Sequence, residues 1–172
     1  MTLTFAACGS DGPTAPFANT EPRLLFVSGR DGNDEIYSIN TDGTNPVRLT
    51  NNTAKDARPV WAPDGSRFAF ISERDGNREV YVSNADGTNQ INLSNTPAAA
   101  ENDPFWSPDG RKIAFASDRD GNNEIYVMNA DGTGVTRLTN NAASDLWPEF
   151  SPDGQHIAFQ ANRDGTTNDV YV

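Results

Sequence analysis

The sequence predicts an all-β fold: a β-propeller of four-stranded antiparallel blades, with about three and a half blades in 172 residues. Three observations carry that reading. Of 14 glycines, 11 directly follow Asp, and from Asp31 onward the Asp-Gly pairs begin at 31, 42, 64, 75, 86, 109, 120, 131, 153 and 164. Their spacing is 11, 22 or 23 residues, so the full unit is 44 or 45. All four tyrosines (Tyr37, Tyr81, Tyr126, Tyr171) and one phenylalanine series (Phe26, Phe70, Phe115, Phe159) keep that beat. A turn-rich repeat of this length is the signature of propeller blades. The strand segments are also apolar on both faces. Ile113 and Phe115 alternate with Ala114 and Ala116, and Ile125 and Val127 with Tyr126 and Met128. Strands covered on both sides suit sheets stacked around an axis, not a sheet with one wet face.

The elements follow in chain order. Residues 1–21 stand outside the repeat. Ala6, Ala7 and Cys8 resemble the end of a bacterial lipoprotein signal, with Cys8 as the lipid acceptor and Gly9 to Pro16 as a tether. The alternative is a tail with a chance Cys. Residues 22–50 supply strands B, C and D of a first unit, with no strand A before Leu24. The unit at 51–95 is complete. Strand A is Arg58–Trp61, closed by Ala62-Pro63-Asp64-Gly65; B is Arg67–Ile71, C is Glu79–Val82 and D is Gln90–Leu93. Pro presets φ in such a turn, and Gly after Asp accepts the left-handed conformation that closes a hairpin. Residues 96–140 repeat the pattern, and 141–172 supply A, B and C, giving fourteen strands in units of three, four, four and three. Three readings of the incomplete ring stay open: a piece of a longer propeller, copies that complete one another as a ring or filament, or residues 13–21 folding back as an edge strand.

Here the blocks Arg-Asp-Gly-Asn-x-Glu-Ile/Val-Tyr, Asn-x-Asp-Gly-Thr, Arg-Leu-Thr and Trp-Ser/Ala-Pro-Asp-Gly resemble the TolB-like β-propeller repeat family, over residues 22–172. The resemblance implies a bacterial envelope setting, periplasmic, outer-membrane-anchored or extracellular. It implies a non-enzymatic scaffold with protein partners. A self-assembling, calcium-stabilised subunit is the second reading. The gating propeller of a prolyl-oligopeptidase-like hydrolase is the third, and needs an α/β-hydrolase domain with its own Ser, Asp and His.

Composition narrows the chemistry. Thirteen basic against 24 acidic residues give a net charge of −11, which argues against nucleic-acid binding. No run of about 18 apolar residues exists, so membrane contact would come only through Cys8. One Cys and one His, the latter (His156) at the polar start of a strand B, leave no Cys-rich zinc site and no Ser/His pair.

Calcium is the candidate ion. Asp118, Asp120, Asn122 and Glu124 offer oxygens at alternate positions, as do Glu73, Asp75, Asn77 and Glu79, and Asp31, Asn33 and Glu35 after Gly29. A fourth set is Asn162, Asp164, Thr166 and Asn168. The alternative is a B–C hairpin turn capped by Asp and Asn. A second acidic series, Asp56, Glu101 and Asp145, precedes strand A and is expected to ring the axial channel mouth, facing a cation or basic peptide, or else to cap the D–A loop. Trp61, Trp106 and Phe150 read as blade-interface core. Trp147 stands off the repeat and reads as an exposed partner contact near the channel end.

Overall fold

In the computed structural model the described residues are 22–163, 165 and 168–172. They form fourteen strands in four sheets. The first blade is β1(Arg23–Ser28), β2(Glu35–Asn40) and β3(Val47–Arg48). The second is β4(Asp56–Trp61), β5(Arg67–Ser72), β6(Glu79–Asn84) and β7(Ile91–Asn92). The third is β8(Glu101–Trp106), β9(Lys112–Ser117), β10(Glu124–Asn129) and β11(Thr136–Arg137). The fourth is β12(Asp145–Phe150), β13(Ile157–Ala161) and β14(Asp169–Tyr171). Neighbours within each sheet are antiparallel and consecutive in the chain. Thus the expected count of three, four, four and three strands is observed. Strand β8 packs against both β4 and β12, which places the A strands innermost.

Two strand types depart from expectation at their ends. The D strands are two residues long where four were expected, as suits an outer edge exposed to water. The A strands begin two residues early, at the acidic position. There the N–H of Asp56, Glu101 and Asp145 donates to Asp34, Arg78 and Asn123 of the preceding blade, at 2.9, 2.9 and 2.7 Å. These bonds tie each blade's inner strand to its neighbour.

The two aromatic beats turn out to be cross-strand partners. Phe26 faces Tyr37, Phe70 faces Tyr81, Phe115 faces Tyr126 and Phe159 faces Tyr171. Their ring centroids lie 5.5, 5.6, 5.8 and 5.9 Å apart. The arginine after strand B caps each pair: Arg30, Arg74, Arg119 and Arg163 lie over the rings, 4.5 to 4.8 Å from the tyrosine centroids.

Blades stack with one rule. The bulky face of a later blade packs on the smaller face of the earlier one. Phe68, Phe70 and Tyr81 meet Ile36 and Leu49. Trp106, Ile113, Phe115, Tyr126 and Met128 meet Ala69, Ile71, Val80 and Val82. Phe159 and Ala161 meet Ala116 and Ile125. Each fully buried Phe contributes about 2–3 kcal/mol of transfer free energy, so these interfaces hold the stack together.

Candidate functional site on the inner strands

Each inner strand is interrupted in the same way. Pairing shifts register between Ala57 and Val60, between Asn102 and Phe105, and between Leu146 and Glu149. Each interruption contains a proline, Pro59, Pro104 or Pro148, which has no N–H to give the ladder. The strand bulges there, and the residue before the proline is left-handed: Arg58 at φ 52°, Asp103 at 53° and Trp147 at 57°. A left-handed φ on a residue with a bulky side chain costs about 1–2 kcal/mol. Strain of that kind gathers where a side chain has to be aimed.

The three bulge residues meet across three blades. Arg58 forms an ion pair with Asp103 and lies 5.2 Å from the centre of the Trp147 ring. Asp103 is well covered, while Trp147 is 59% exposed. Next to them, Arg78 Nη1 donates to Asn102 Oδ1 at 3.0 Å. The result is a platform: an exposed indole, backed by a guanidinium whose charge is balanced by a carboxylate. Trp147 is exposed as the sequence suggested. However, it stands in register with Arg58 and Asp103, not off the repeat. The bulge itself was missed, and its signal was the proline within each strand.

The acidic series Asp56, Glu101 and Asp145 lies elsewhere than expected. These side chains are fully buried and do not ring a channel mouth. Each accepts from the arginine of its own B–C turn: Arg74 to Asp56 at 2.9 Å, Arg119 to Glu101 at 3.2 Å, Arg163 to Asp145 at 2.9 Å. Asn52 and Asn141 of the D–A loops also donate to Asp56 and Asp145. Burial pushes Asp56 up, against the pull of Ser72 and Arg74.

The residues named for calcium separate into three structural roles. Glu35, Glu79 and Glu124 are buried at the start of strand C and organise the D–A loop. Thr50, Ser94 and Thr139 hydroxyls donate to them, as do the N–H groups of Asn52, Thr96 and Asn141 at 2.9, 2.8 and 2.7 Å. Arg48 and Arg137 pair with Glu35 and Glu124, both at 2.9 Å. Burial raises Glu35 and Glu124, but these donors outweigh it and hold both below the usual carboxylate value. Asn33, Asn77 and Asn122 turn their amide nitrogens, not their oxygens, toward these glutamates and toward carbonyls of the D–A loop. Asp31, Asp75 and Asp120 accept from the Tyr37, Tyr81 and Tyr126 hydroxyls. Burial and then that bond push Tyr126 up to about 12. Glu73 pairs with Arg78 at 3.4 Å, and Asp118 accepts from the Ala100 N–H at 2.7 Å. Among the described residues no three His, Cys, Asp or Glu side chains gather as a metal cage. Cys8, Asp164 and Thr166 lie outside the described residues.

The family model described as the TolB beta propeller domain matches residues 12–103 and again 88–172. The Tol-Pal system protein TolB of Desulfosudis oleivorans is 44% identical over 45 residues, 26% of this chain and 10% of that protein. A solved structure assigned as TolB from Agrobacterium tumefaciens superposes with a TM-score of 0.74 at 25% identity, covering 86% of this chain and 60% of that one. A puromycin-hydrolyzing peptidase of Mycobacterium tuberculosis shares the fold, with a TM-score of 0.66 at 17% identity over 87% of this chain and 27% of that one. The chain therefore matches only part of the length of each of these proteins.

Proposed function

The chain belongs to the TolB beta propeller domain family, and from that premise we propose that it is a non-enzymatic module that binds protein partners in the bacterial envelope. The observation that carries this reading is the platform of Arg58, Asp103 and Trp147. Three strained residues on three inner strands hold one exposed indole in a fixed place. An exposed, rigid aromatic backed by arginine is the composition of an interface hot spot. The Tol-Pal name of the matched relative points to envelope proteins as the partner class. The hydrolase reading has fold likeness alone behind it.

The test is calorimetric titration of the full chain with the Pal component from the same organism. The expected result is saturable binding, weakened at least about tenfold by Trp147→Ala, with an unchanged circular dichroism spectrum. No binding by the wild-type chain sinks the partner class. Unchanged binding by Trp147→Ala sinks the inner-strand platform as the contact.

A further inference from the structure

Neighbouring blades leave a cleft beside the A–B turn of the later blade. Between the first and second blades it measures about 730 Å³, against about 560 and 390 Å³ at the two interfaces that follow. Val47, Leu49, Trp61 and Pro63 give it apolar walls, and Asp86 of the C–D turn also lines it.

The first cleft differs from the second in where one arginine goes. Arg23 and Arg67 hold the same position at the start of strand B, each opposite an asparagine of strand C, Asn40 and Asn84. Arg67 lies over Trp106, 5.1 Å from the ring centre. Arg67 lines that cleft, and Trp106 beneath it is only 3% exposed. Arg23 turns away from the equivalent Trp61. Its Nε donates to Ser38 Oγ at 3.1 Å, Nη1 to Asn40 Oδ1 at 2.8 Å and Nη2 to the Asn45 carbonyl at 2.8 Å. The second blade has Val82 at the place of Ser38, a side chain with no acceptor to offer. The Trp61 indole N–H donates to the Arg23 carbonyl at 3.0 Å, and among the described residues no cation lies over its ring.

We infer that this cleft takes an arginine side chain from a partner protein, its guanidinium stacked on Trp61 as Arg67 stacks on Trp106, and its charge met by Asp86. The second cleft supplies the pattern. There a guanidinium lies on an indole in a cleft also lined by Asp131, the C–D turn acid equivalent to Asp86. Indole is the best of the aromatic faces for a cation, and arginine the more frequent cation upon it. The Thr88 hydroxyl and N–H both donate to Asp86 Oδ1, at 2.6 and 2.9 Å, and hold that carboxyl below its usual value. Asp86 Oδ2 has no partner among the described residues. Arg23 leaves it free, being held by Ser38, Asn40 and Asn45. Residues 1–21 contain no Lys or Arg, so the segment leading to Pro22 carries no cationic side chain for the site. The net charge of −11 favours the approach of a basic partner.

The site is separate from the inner-strand platform at Trp147, and the Trp61 indole N–H reports on it alone. Titration of the isotope-labelled full chain with N-acetyl-arginine methylamide, followed by NMR at that resonance, should give a saturable shift. N-acetyl-citrulline methylamide has nearly the same shape and no charge, and should bind at least about fivefold more weakly. Ser38→Val gives the first blade the residue that the second already has there. It should let Arg23 lie over Trp61 and weaken the arginine probe by at least about fivefold. No saturable shift, equal affinity for the citrulline probe, or unchanged arginine binding by Ser38→Val overturns the inference. A saturable shift with N-acetylglycine but not with the arginine probe would assign the cleft to an anion on Arg23, and overturns it equally. If Ser38→Val does not fold, the comparison of arginine with citrulline in the wild type decides alone.

Discussion

The repeated residues that looked most like ligands are structural fasteners. Glu35 and Glu124 each gather a hydroxyl, a backbone N–H and an arginine, and so fix the loop that carries the chain from one blade to the next. Removing a buried acceptor leaves several donors unpaired. Glu124→Ala is therefore expected to cost about 2 kcal/mol in urea unfolding. Both glutamates are held below their ordinary value of 4.5, so their contribution is present above it and fades as pH falls through the lowered folded value. The double variant Glu35→Gln, Glu124→Gln should show a shallower acid limb than the wild type as pH falls below that ordinary value. A limb of equal steepness would assign acid lability to other groups.

At the scale of the element, the inner strands hold strain and the C–D turns require close approach. Trp147 keeps a left-handed φ of 57° that glycine adopts freely. Trp147→Gly should accordingly be more stable than Trp147→Ala by about 1 kcal/mol, although both lose the indole. Equal stabilities would mean the bulge relaxes once the ring is gone. The C–D turn of the second blade shows the other constraint. Gly87 has φ +84°, and a Cβ there would stand 2.2 Å from the Leu49 carbonyl oxygen of the first blade. Gly87→Ala must therefore pay in both backbone conformation and contact, at least about 2 kcal/mol by thermal or urea unfolding.

For the whole molecule, the alternating bulky and small faces make one continuous stack. Phe115 is fully buried where the third blade meets the second. Phe115→Ala should cost about 3–5 kcal/mol. The equivalent change at Leu24, which is exposed, should cost little. Because neighbouring blades share each interface, the loss should appear as one shifted transition, not as early melting of a single blade. A separate early transition on differential scanning calorimetry would show that the blades unfold independently.

The Asp-Gly beat and the aromatic beats already contained the strand count, the blade order and the alternation of bulky and small faces. These are local properties: a turn needs its own residues, and a strand's two faces alternate every residue. The roles of the acidic residues were not legible in the same way. Asp56, Glu101 and Asp145 read as mouth carboxylates. Yet each meets an arginine 18 residues later in the chain, brought over by the A–B hairpin. Asn77 read as an oxygen ligand, but it donates from nitrogen to the loop 19 residues ahead. The platform of Arg58, Asp103 and Trp147 joins positions 44 and 45 residues apart. The sequence by itself determined the blade, because a blade is made of neighbours in the chain. Only the tertiary structure decided which charges are buried and which aromatic is offered to solvent, because those outcomes depend on the packing of one blade against the next.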